Sequence, residues 1–156
     1  MVGGFKSLKK DSHLRYLNLF CFGLNGESFE EREELLASCS SLEKLSMRSQ
    51  DILFNTVQSI SCQNGRTLQV LDLFGCKGLN LASIQHIVNN FVELTEVNFS
   101  STGLARDSIN FLSNNLTPKV KKIGLFDLHF GNKNVEDLVK RCNKLSETLF
   151  YHSSVR

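Results

Sequence analysis

The spacing of apolar residues is the first regular feature of the chain. From Leu68 the stretch LQVLDLFGC places apolar residues three, two and three positions apart. The same L-x-x-L-x-L spacing, with Val, Ile, Met or Phe replacing some leucines, recurs with offsets of 28, 26, 26, 26 and 25 residues. The sixth copy, LSETLF, is degenerate. The six segments begin at Leu14, Leu42, Leu68, Leu94, Val120 and Leu145.

Each segment predicts a short strand followed by a loop and a helix. In L-x-x-L-x-L the second and third apolar residues lie two positions apart, so both point to the same, inward face of a strand. Leu71 and Leu73 hold these places in the middle segment. Apolar residues spaced three and four apart predict helices with one apolar stripe. These predicted helices span residues 28–38, 82–90, 108–116 and 135–142. Asp107 and Ser108 are predicted as N-caps of the third.

An internal period of this length with this pattern is the signature of leucine-rich repeats. No single unit can cover both its strand and its helical stripe, so neighbouring units must stack around a shared core. We therefore predict one α/β domain over residues 1–156, a leucine-rich-repeat solenoid in a ribonuclease-inhibitor-like horseshoe arc of about six repeats of 25–28 residues. Parallel strands would line the concave side and helices the convex side. Neither end carries an evident polar cap, so we expect a fragment of a longer repeat array.

The cysteines add a family resemblance. Cys39 and Cys142 each lie three residues before the first Leu of a segment, and Cys76 is the ninth residue of its unit. This arrangement resembles the cysteine-containing leucine-rich repeats of F-box/LRR proteins. The stretch TPKVKKIGLFDLHFGNKNVEDLVKRCNKLSE, residues 117–147, is also similar to a segment found in that family. The resemblance extends over nearly the whole chain from Leu14 onward.

The resemblance implies a substrate receptor of an SCF-type E3 ubiquitin ligase, whose repeats hold a protein substrate on the concave face. We find no F-box in the 156 residues. The Skp–cullin ligase core is therefore expected as a partner only if an F-box exists outside this chain. The alternative is a free-standing leucine-rich-repeat adaptor or inhibitor that is unrelated to ubiquitin.

We expect this polypeptide alone not to bind the ligase adaptor, because the segment that family members use for that contact is not found in it. The measurement is co-expression of the two chains followed by affinity purification. Stable co-purification with the adaptor, without added segments, would contradict this expectation.

Composition excludes several classes of partner. The net charge is +2, from 18 Lys and Arg against 16 Asp and Glu, with no long basic run, which argues against nucleic acid. No apolar stretch approaches the roughly 18 residues of a membrane span, and the N-terminus has no signal-peptide core. We predict no membrane partner, a location in the cytoplasm and/or nucleus, and five reduced cysteines.

The sequence carries none of the common catalytic motifs. The sequence contains no G-x-S-x-G, H-E-x-x-H or phosphate-loop motif, and its four histidines lie far apart. We therefore predict that the chain is not an enzyme and needs no cofactor or metal. The acidic run ESFEEREE, residues 27–34, has two interpretations: a helix N-terminus favoured by the helix dipole, or a docking site for a basic partner.

The candidate binding residues occupy the third, fifth and seventh positions of each unit, which alternate with the buried ones and so face the concave side. An exposed aromatic row with Arg48 between two rings, flanked by charges of both signs, resembles the centre of a protein interface. The alternatives are that the rings pack against each other or that a further segment covers them. The predicted protein-binding residues are Phe20, Arg48, Phe74, Phe126, Tyr16, Lys44, Asp72, Glu96, Asn98 and Lys122.

Overall fold

The computed structural model describes residues 13–20 and 28–149. Within these ranges six strands alternate with five helices, and all six strands form one parallel sheet in the order of the chain. The strands are β1 (Tyr16–Asn18), β2 (Lys44–Ser46), β3 (Val70–Asp72), β4 (Glu96–Asn98), β5 (Lys122–Gly124) and β6 (Glu147–Leu149). The helices are α1 (Phe29–Ser38), α2 (Phe54–Asn64), α3 (Leu81–Asn90), α4 (Arg106–Asn115) and α5 (Asn132–Arg141).

The strand register follows the offsets of the apolar pattern. The third residue of each predicted segment pairs with the third residue of the next, so Tyr16 pairs with Lys44 and Lys44 with Val70. The same correspondence continues through β4 and β5 to β6. The predicted strand positions are therefore confirmed by the pairing.

One face of the sheet is buried beneath the helices. The central residue of each strand from β1 to β5 is buried, as is the apolar residue just after each strand. Leu71 and Leu73 are each only 2% exposed, which confirms the predicted inward direction of both side chains. These residues form a single core with buried residues from all five helices, among them Leu35, Ile60 and Leu112. No helix of the described ranges covers the other face of the sheet.

A sharp turn follows β2, β3, β4 and β5 at the same place in each unit. The residue at the eighth position has a positive φ each time, between 55° and 67°. Only one of the four is glycine, the residue that adopts this conformation most readily. The turns continue the hydrogen-bonded ladder, since each of the first three donates its eighth-position N–H to a carbonyl of the next turn. The four residues are Ser49, Gly75, Ser101 and Asp127.

Helix starts agree with the sequence in part. Ser28 caps α1 and forms a capping box with Glu31, which accounts for one carboxylate of the acidic run as a helix N-terminus. Residue 27 of that run lies outside the described residues. The prediction of Asp107 and Ser108 as N-caps was wrong: α4 begins at Arg106, and Ala105 holds the cap position without a side-chain bond.

Two further differences concern the helices. Helix α2 was not predicted, because its sequence FNTVQSISCQN is mostly polar and its N-cap, Leu53, provides no side-chain hydrogen bond. The predicted apolar stripes are too wide at two places. Val139 is 51% exposed on α5, and Phe29 is 41% exposed on α1, where its ring lies 4.3 Å from the Arg32 guanidinium carbon. Within the described residues, no helix has both the length and the apolar character that a bilayer crossing requires.

Asn64 connects α2 to the preceding unit. Its side chain is completely buried, its Oδ1 accepts from the backbone N–H of Leu42 at 2.8 Å, and its Nδ2 donates to the carbonyl of Cys39 at 2.8 Å. These two backbone groups flank the turn between α1 and β2. Asn64, rather than a backbone group of a helix or strand, provides their hydrogen-bond partner. One side chain therefore fixes the position of a helix relative to the neighbouring turn.

The described cysteines separate into buried and exposed thiols. Cys39, Cys76 and Cys142 are buried, Cys62 is exposed, and none of these four forms a disulfide. Burial raises the pKa of the Cys76 thiol to about 11, and the thiol donates a hydrogen bond to the carbonyl of Met47 at 2.8 Å. Burial also raises the pKa of Cys142. Cys21 lies outside the described residues.

We expect iodoacetamide at pH 8 to modify Cys62 in the folded protein while sparing Cys39, Cys76 and Cys142. The thiolate is the reactive species, and burial opposes its formation. Mass spectrometry of peptides from native and denatured samples measures the difference. Rapid native labelling of Cys76 would contradict its burial.

The raised pKa of Cys76 also predicts a pH dependence of folding stability. Because the folded pKa lies above the ordinary value of 9.0, the contribution of the protonated thiol to the free energy of unfolding is complete below pH 9 and is lost as the pH rises through about 11.

Candidate functional site

The face of the sheet opposite the helices, here called the open face, presents two rows of side chains. One row runs across the strands through their first residues, and the other through their last. Neighbours within a row lie about 4.8 Å apart, the spacing of paired strands. The first row is Tyr16, Lys44, Val70, Glu96, Lys122 and Glu147. The second begins Asn18, Ser46, Asp72, Asn98 and Gly124.

Two shallow grooves lie on the open face. The first, called the aromatic groove, has a volume of about 270 Å³. Tyr16 and Phe20 line it with 57% and 58% of their surfaces exposed, and Ser46, which also lines it, is nearly buried. This groove therefore combines exposed aromatic surface with polar and charged side chains. Its lining residues are Tyr16, Asn18, Phe20, Lys44, Leu45, Ser46, Arg48, Val70 and Asp72.

The second groove, called the charged groove, covers β3 to β6 with a volume of about 210 Å³. Lys122 lies between two carboxylates: its Nζ is 3.9 Å from Glu96 and 3.3 Å from Glu147. One ammonium thus faces two carboxylates, which leaves a negative charge in excess. The lining residues are Arg48, Val70, Leu71, Asp72, Glu96, Val97, Asn98, Lys122, Ile123, Gly124 and Glu147.

Arg48 stands where the two grooves meet. Its Nε donates to Asp72 Oδ2 at 2.6 Å, and its guanidinium carbon lies 5.7 Å from the centre of the Phe74 ring. Such a cation–π contact adds to the ion pair in holding the guanidinium in place. About half of the Arg48 side chain stays exposed. The group is therefore positioned by β3 while remaining open to a partner.

Lys44 differs from the other charged residues of the open face. Within residues 13–20 and 28–149 it has no ion-pair partner, whereas Arg48 pairs with Asp72 and Lys122 with two glutamates. Lys44 is exposed and lies in the first row between Tyr16 and Val70. It therefore gives the aromatic groove one uncompensated positive charge.

The last residues of three strands fix the turns that carry the seventh-position side chains. Asn18, Asp72 and Asn98 each accept a hydrogen bond through Oδ1 from the backbone N–H two residues later, at 2.9, 3.2 and 3.0 Å. Short polar side chains are suited to such local turns. After β5, where the last residue is glycine, the N–H of Phe126 donates to Ser100 Oγ instead, at 3.0 Å.

Gly124 leaves room for that arrangement. A Cβ at this position would lie 2.2 Å from Asn98 Oδ1 and 3.0 Å from Ser100 Oγ. We expect Gly124→Ala to displace the Asn98 amide, break its bond to the N–H of Ser100, and lower the free energy of unfolding by about 1 kcal/mol. Urea denaturation measures the change.

The control for Gly124→Ala is the same substitution in an Asn98→Ala background. Because the overlapping side chain is then missing, we expect alanine at position 124 to be nearly neutral there, so the two substitutions are non-additive. An equal cost of Gly124→Ala in both backgrounds would contradict the proposed overlap.

The structure brings most of the predicted binding residues together. Eight of the ten line one or both grooves. Phe74 lines neither groove but contacts Arg48, and Phe126, which is 37% exposed, lies apart at the turn after β5. Among the described residues, the Arg48 guanidinium lies over one ring, that of Phe74, whereas the sequence predicted a position between two rings. Glu147 was missed, although applying the third-position rule to the degenerate sixth copy would have found it.

A serine–histidine contact joins two helices on the helical side of the sheet. His86 Nε2 lies 2.6 Å from Ser61 Oγ, and the ring packs edge-on against Phe54 with centroids 5.4 Å apart. The Ser61 hydroxyl also lies within hydrogen-bond distance of the carbonyl of Gln58, at 2.9 Å. The pair connects α2 to α3.

The charged groups of the open face are the ammonium groups of Lys44 and Lys122, the Arg48 guanidinium, and three carboxylates. The carboxylates belong to Asp72, Glu96 and Glu147. In the described ranges, no group of three or more His, Cys, Asp or Glu side chains has an arrangement that could hold a metal ion. What the open face offers is therefore exposed aromatic surface, backbone-supported polar groups and charges of both signs. No protein-family model matches the sequence.

Proposed function

We propose that this chain is a leucine-rich-repeat solenoid that recognises a protein through the open face. The observation that carries the proposal is the open face itself, where exposed aromatic rings and charged groups are held in register by the sheet. Aromatic and arginine side chains are enriched at the centres of protein interfaces. In this proposal the ten predicted residues form the binding surface, with Glu147 added.

The solenoid arrangement is supported by the spacing of the two layers. Paired strands lie about 4.8 Å apart, whereas packed helices need roughly 8–10 Å between axes. Consecutive units that contribute one strand and one helix each must therefore curve, with the sheet on the inner side. The helices contact each other only in sequence order within the described residues, as stacked units would. On this basis the open face is the concave side.

We further propose that the bound protein is a substrate of an SCF-type E3 ubiquitin ligase for which this chain supplies the substrate-binding repeats. The support is the resemblance of the cysteine positions and of residues 117–147 to F-box/LRR repeats. The burial of Cys39, Cys76 and Cys142 agrees with a packing role for those cysteines. The second candidate, a free-standing adaptor or inhibitor, uses the same open face without a ligase.

The test is affinity capture from cell extract with the wild-type chain and three variants, read by quantitative mass spectrometry. Phe20→Ala and Arg48→Ala alter the open face, while Val139→Ala removes a similarly exposed apolar side chain from the helical side. We expect a partner that is lost with both open-face variants and kept with the control. Capture that is equal for all four chains would contradict recognition through the open face.

The two candidates differ in the fate of that partner. If the chain belongs to a ligase receptor, depleting the protein in cells lengthens the half-life of the captured partner and lowers its ubiquitylation. If the chain is a free-standing adaptor, both quantities are unchanged. A cycloheximide chase with and without depletion separates these outcomes.

A further inference from the structure

The two grooves of the open face carry opposite excess charge. The aromatic groove contains two cations, Lys44 and Arg48, and one carboxylate, Asp72. The charged groove contains Arg48 and Lys122 with three carboxylates, Asp72, Glu96 and Glu147. Arg48 and Asp72 neutralise each other in both grooves. What remains is Lys44 at one end of the open face and an excess carboxylate beside Lys122 at the other.

The distance between these charges follows from the strand order. Lys44 lies on β2, Glu96 on β4 and Glu147 on β6, all in the first row. At about 4.8 Å per strand, the two carboxylates lie roughly 10 Å and 19 Å from the position of Lys44. An extended peptide advances about 3.3 Å per residue, so roughly three to six residues cover this distance.

The exposed aromatic surface lies near the positive end. Tyr16 and Phe20 line the aromatic groove and are more than half exposed, whereas the aliphatic Val70 lines both grooves. Among the described residues, the lining of the charged groove includes aliphatic but no aromatic side chains. A bound segment therefore gains aromatic contact close to Lys44 and electrostatic contact farther along the sheet.

We propose that the open face binds an extended protein segment with an acidic residue over Lys44, a neighbouring apolar residue in the aromatic groove, and a basic residue three to six positions away over Glu96 or Glu147. This inference rests on the proposed function and adds the chemistry of the partner to it. Charge complementarity determines the direction of the segment, since the reverse orientation places like charges together.

The experiment pans phage-displayed random 12-residue peptides on the full chain and, in parallel, on Lys44→Glu. We expect wild-type peptides to share an acidic residue, an adjacent apolar residue and a basic residue at the stated spacing. Selection on Lys44→Glu should replace the acidic residue with a basic one. Peptides without an acidic residue, peptides equally enriched by both chains, or no enrichment would each overturn the inference.

A synthetic peptide selected on the wild type then allows direct titration. We expect Lys44→Glu to weaken its binding by about tenfold, because attraction becomes repulsion, and Glu96→Lys to weaken it as well. Lys144→Glu is the matched control, because Lys144 is exposed in the turn before β6 and lines neither groove. Thermal melts of all variants verify folding. Equal affinities for Lys44→Glu and Lys144→Glu would also overturn the inference.

A result that overturns the bipolar segment differs from a result that overturns the proposed function. Peptides that lose binding with Phe20→Ala but show no charge requirement would overturn the bipolar segment and leave recognition by the open face intact. The proposed function is judged separately, by capture of a whole protein partner.

Discussion

Replacing Leu71 with alanine is expected to lower the free energy of unfolding by about 2–5 kcal/mol. The side chain is 2% exposed at the centre of β3, where the backbone pairs with Leu45 on one side and Val97 on the other. Truncation leaves a cavity in the layer that joins the sheet to the helices. Such a loss is a large share of the 5–15 kcal/mol typical of a domain.

The loss should also extend to β2 and β4, because Leu45 and Val97 on these strands pair directly with position 71. Hydrogen exchange is expected to show reduced protection at Leu45 and Val97 as well as at position 71. The control is Leu53→Ala, which truncates a leucine that is 53% exposed and should stay within about 0.5 kcal/mol of wild type. Urea melts that place Leu71→Ala equally close to wild type would refute the burial of this position.

Asn64→Ala is expected to cost about 2–4 kcal/mol, since it leaves two buried backbone groups without partners. The N–H of Leu42 and the carbonyl of Cys39 both bond to this side chain at 2.8 Å. Urea denaturation measures the loss of stability. The loss comes from the hydrogen bonds rather than from buried apolar area, because the asparagine side chain contributes almost no apolar area.

The matched control for that substitution is Asn115→Ala. Asn115 ends α4 as Asn64 ends α2, but it is exposed and its Nδ2 bonds only within its own helix, to the carbonyl of Phe111. We expect it to change stability by less than about 0.5 kcal/mol. Similar costs at the two asparagines would show that Asn64 does not connect the units.

The apolar spacing predicted the strands well because side chains alternate along a strand. Once one face is buried, the direction of every side chain on the strand is determined. Once Leu71 and Leu73 point inward, Val70 and Asp72 must point outward, and the same rule places Lys44 and Glu96. This rule predicts on which face of the sheet a side chain lies, but it does not predict which side chains form ion pairs. It therefore found most of the open face without showing that Arg48 pairs with Asp72 or that Lys44 has no ion-pair partner in the described part of the chain.

What the sequence did not predict depends on buried polar groups with distant partners. Helix α2 buries Thr56 and Asn64, which a hydrophobic pattern reads as solvent-exposed. Arg32 is buried beside Gln50, eighteen residues away, at 3.4 Å. In α4, Ser108 is buried with its hydroxyl unpaired in the described residues, so a residue with the features of a cap lies inside the helix. Local propensity cannot anticipate contacts made across units.

The turn that recurs after β2, β3, β4 and β5 has a consequence for how the open face can change. Because this turn has the same position and conformation after each of these four strands, removal of a 26-residue block such as 73–98 would join Asp72 to Phe99, and an inward apolar residue would still follow the strand. The block would take one column of the open face with it and leave the remaining columns in register. Deletion or duplication of such a block can thus remove or add one column of the open face without new backbone geometry.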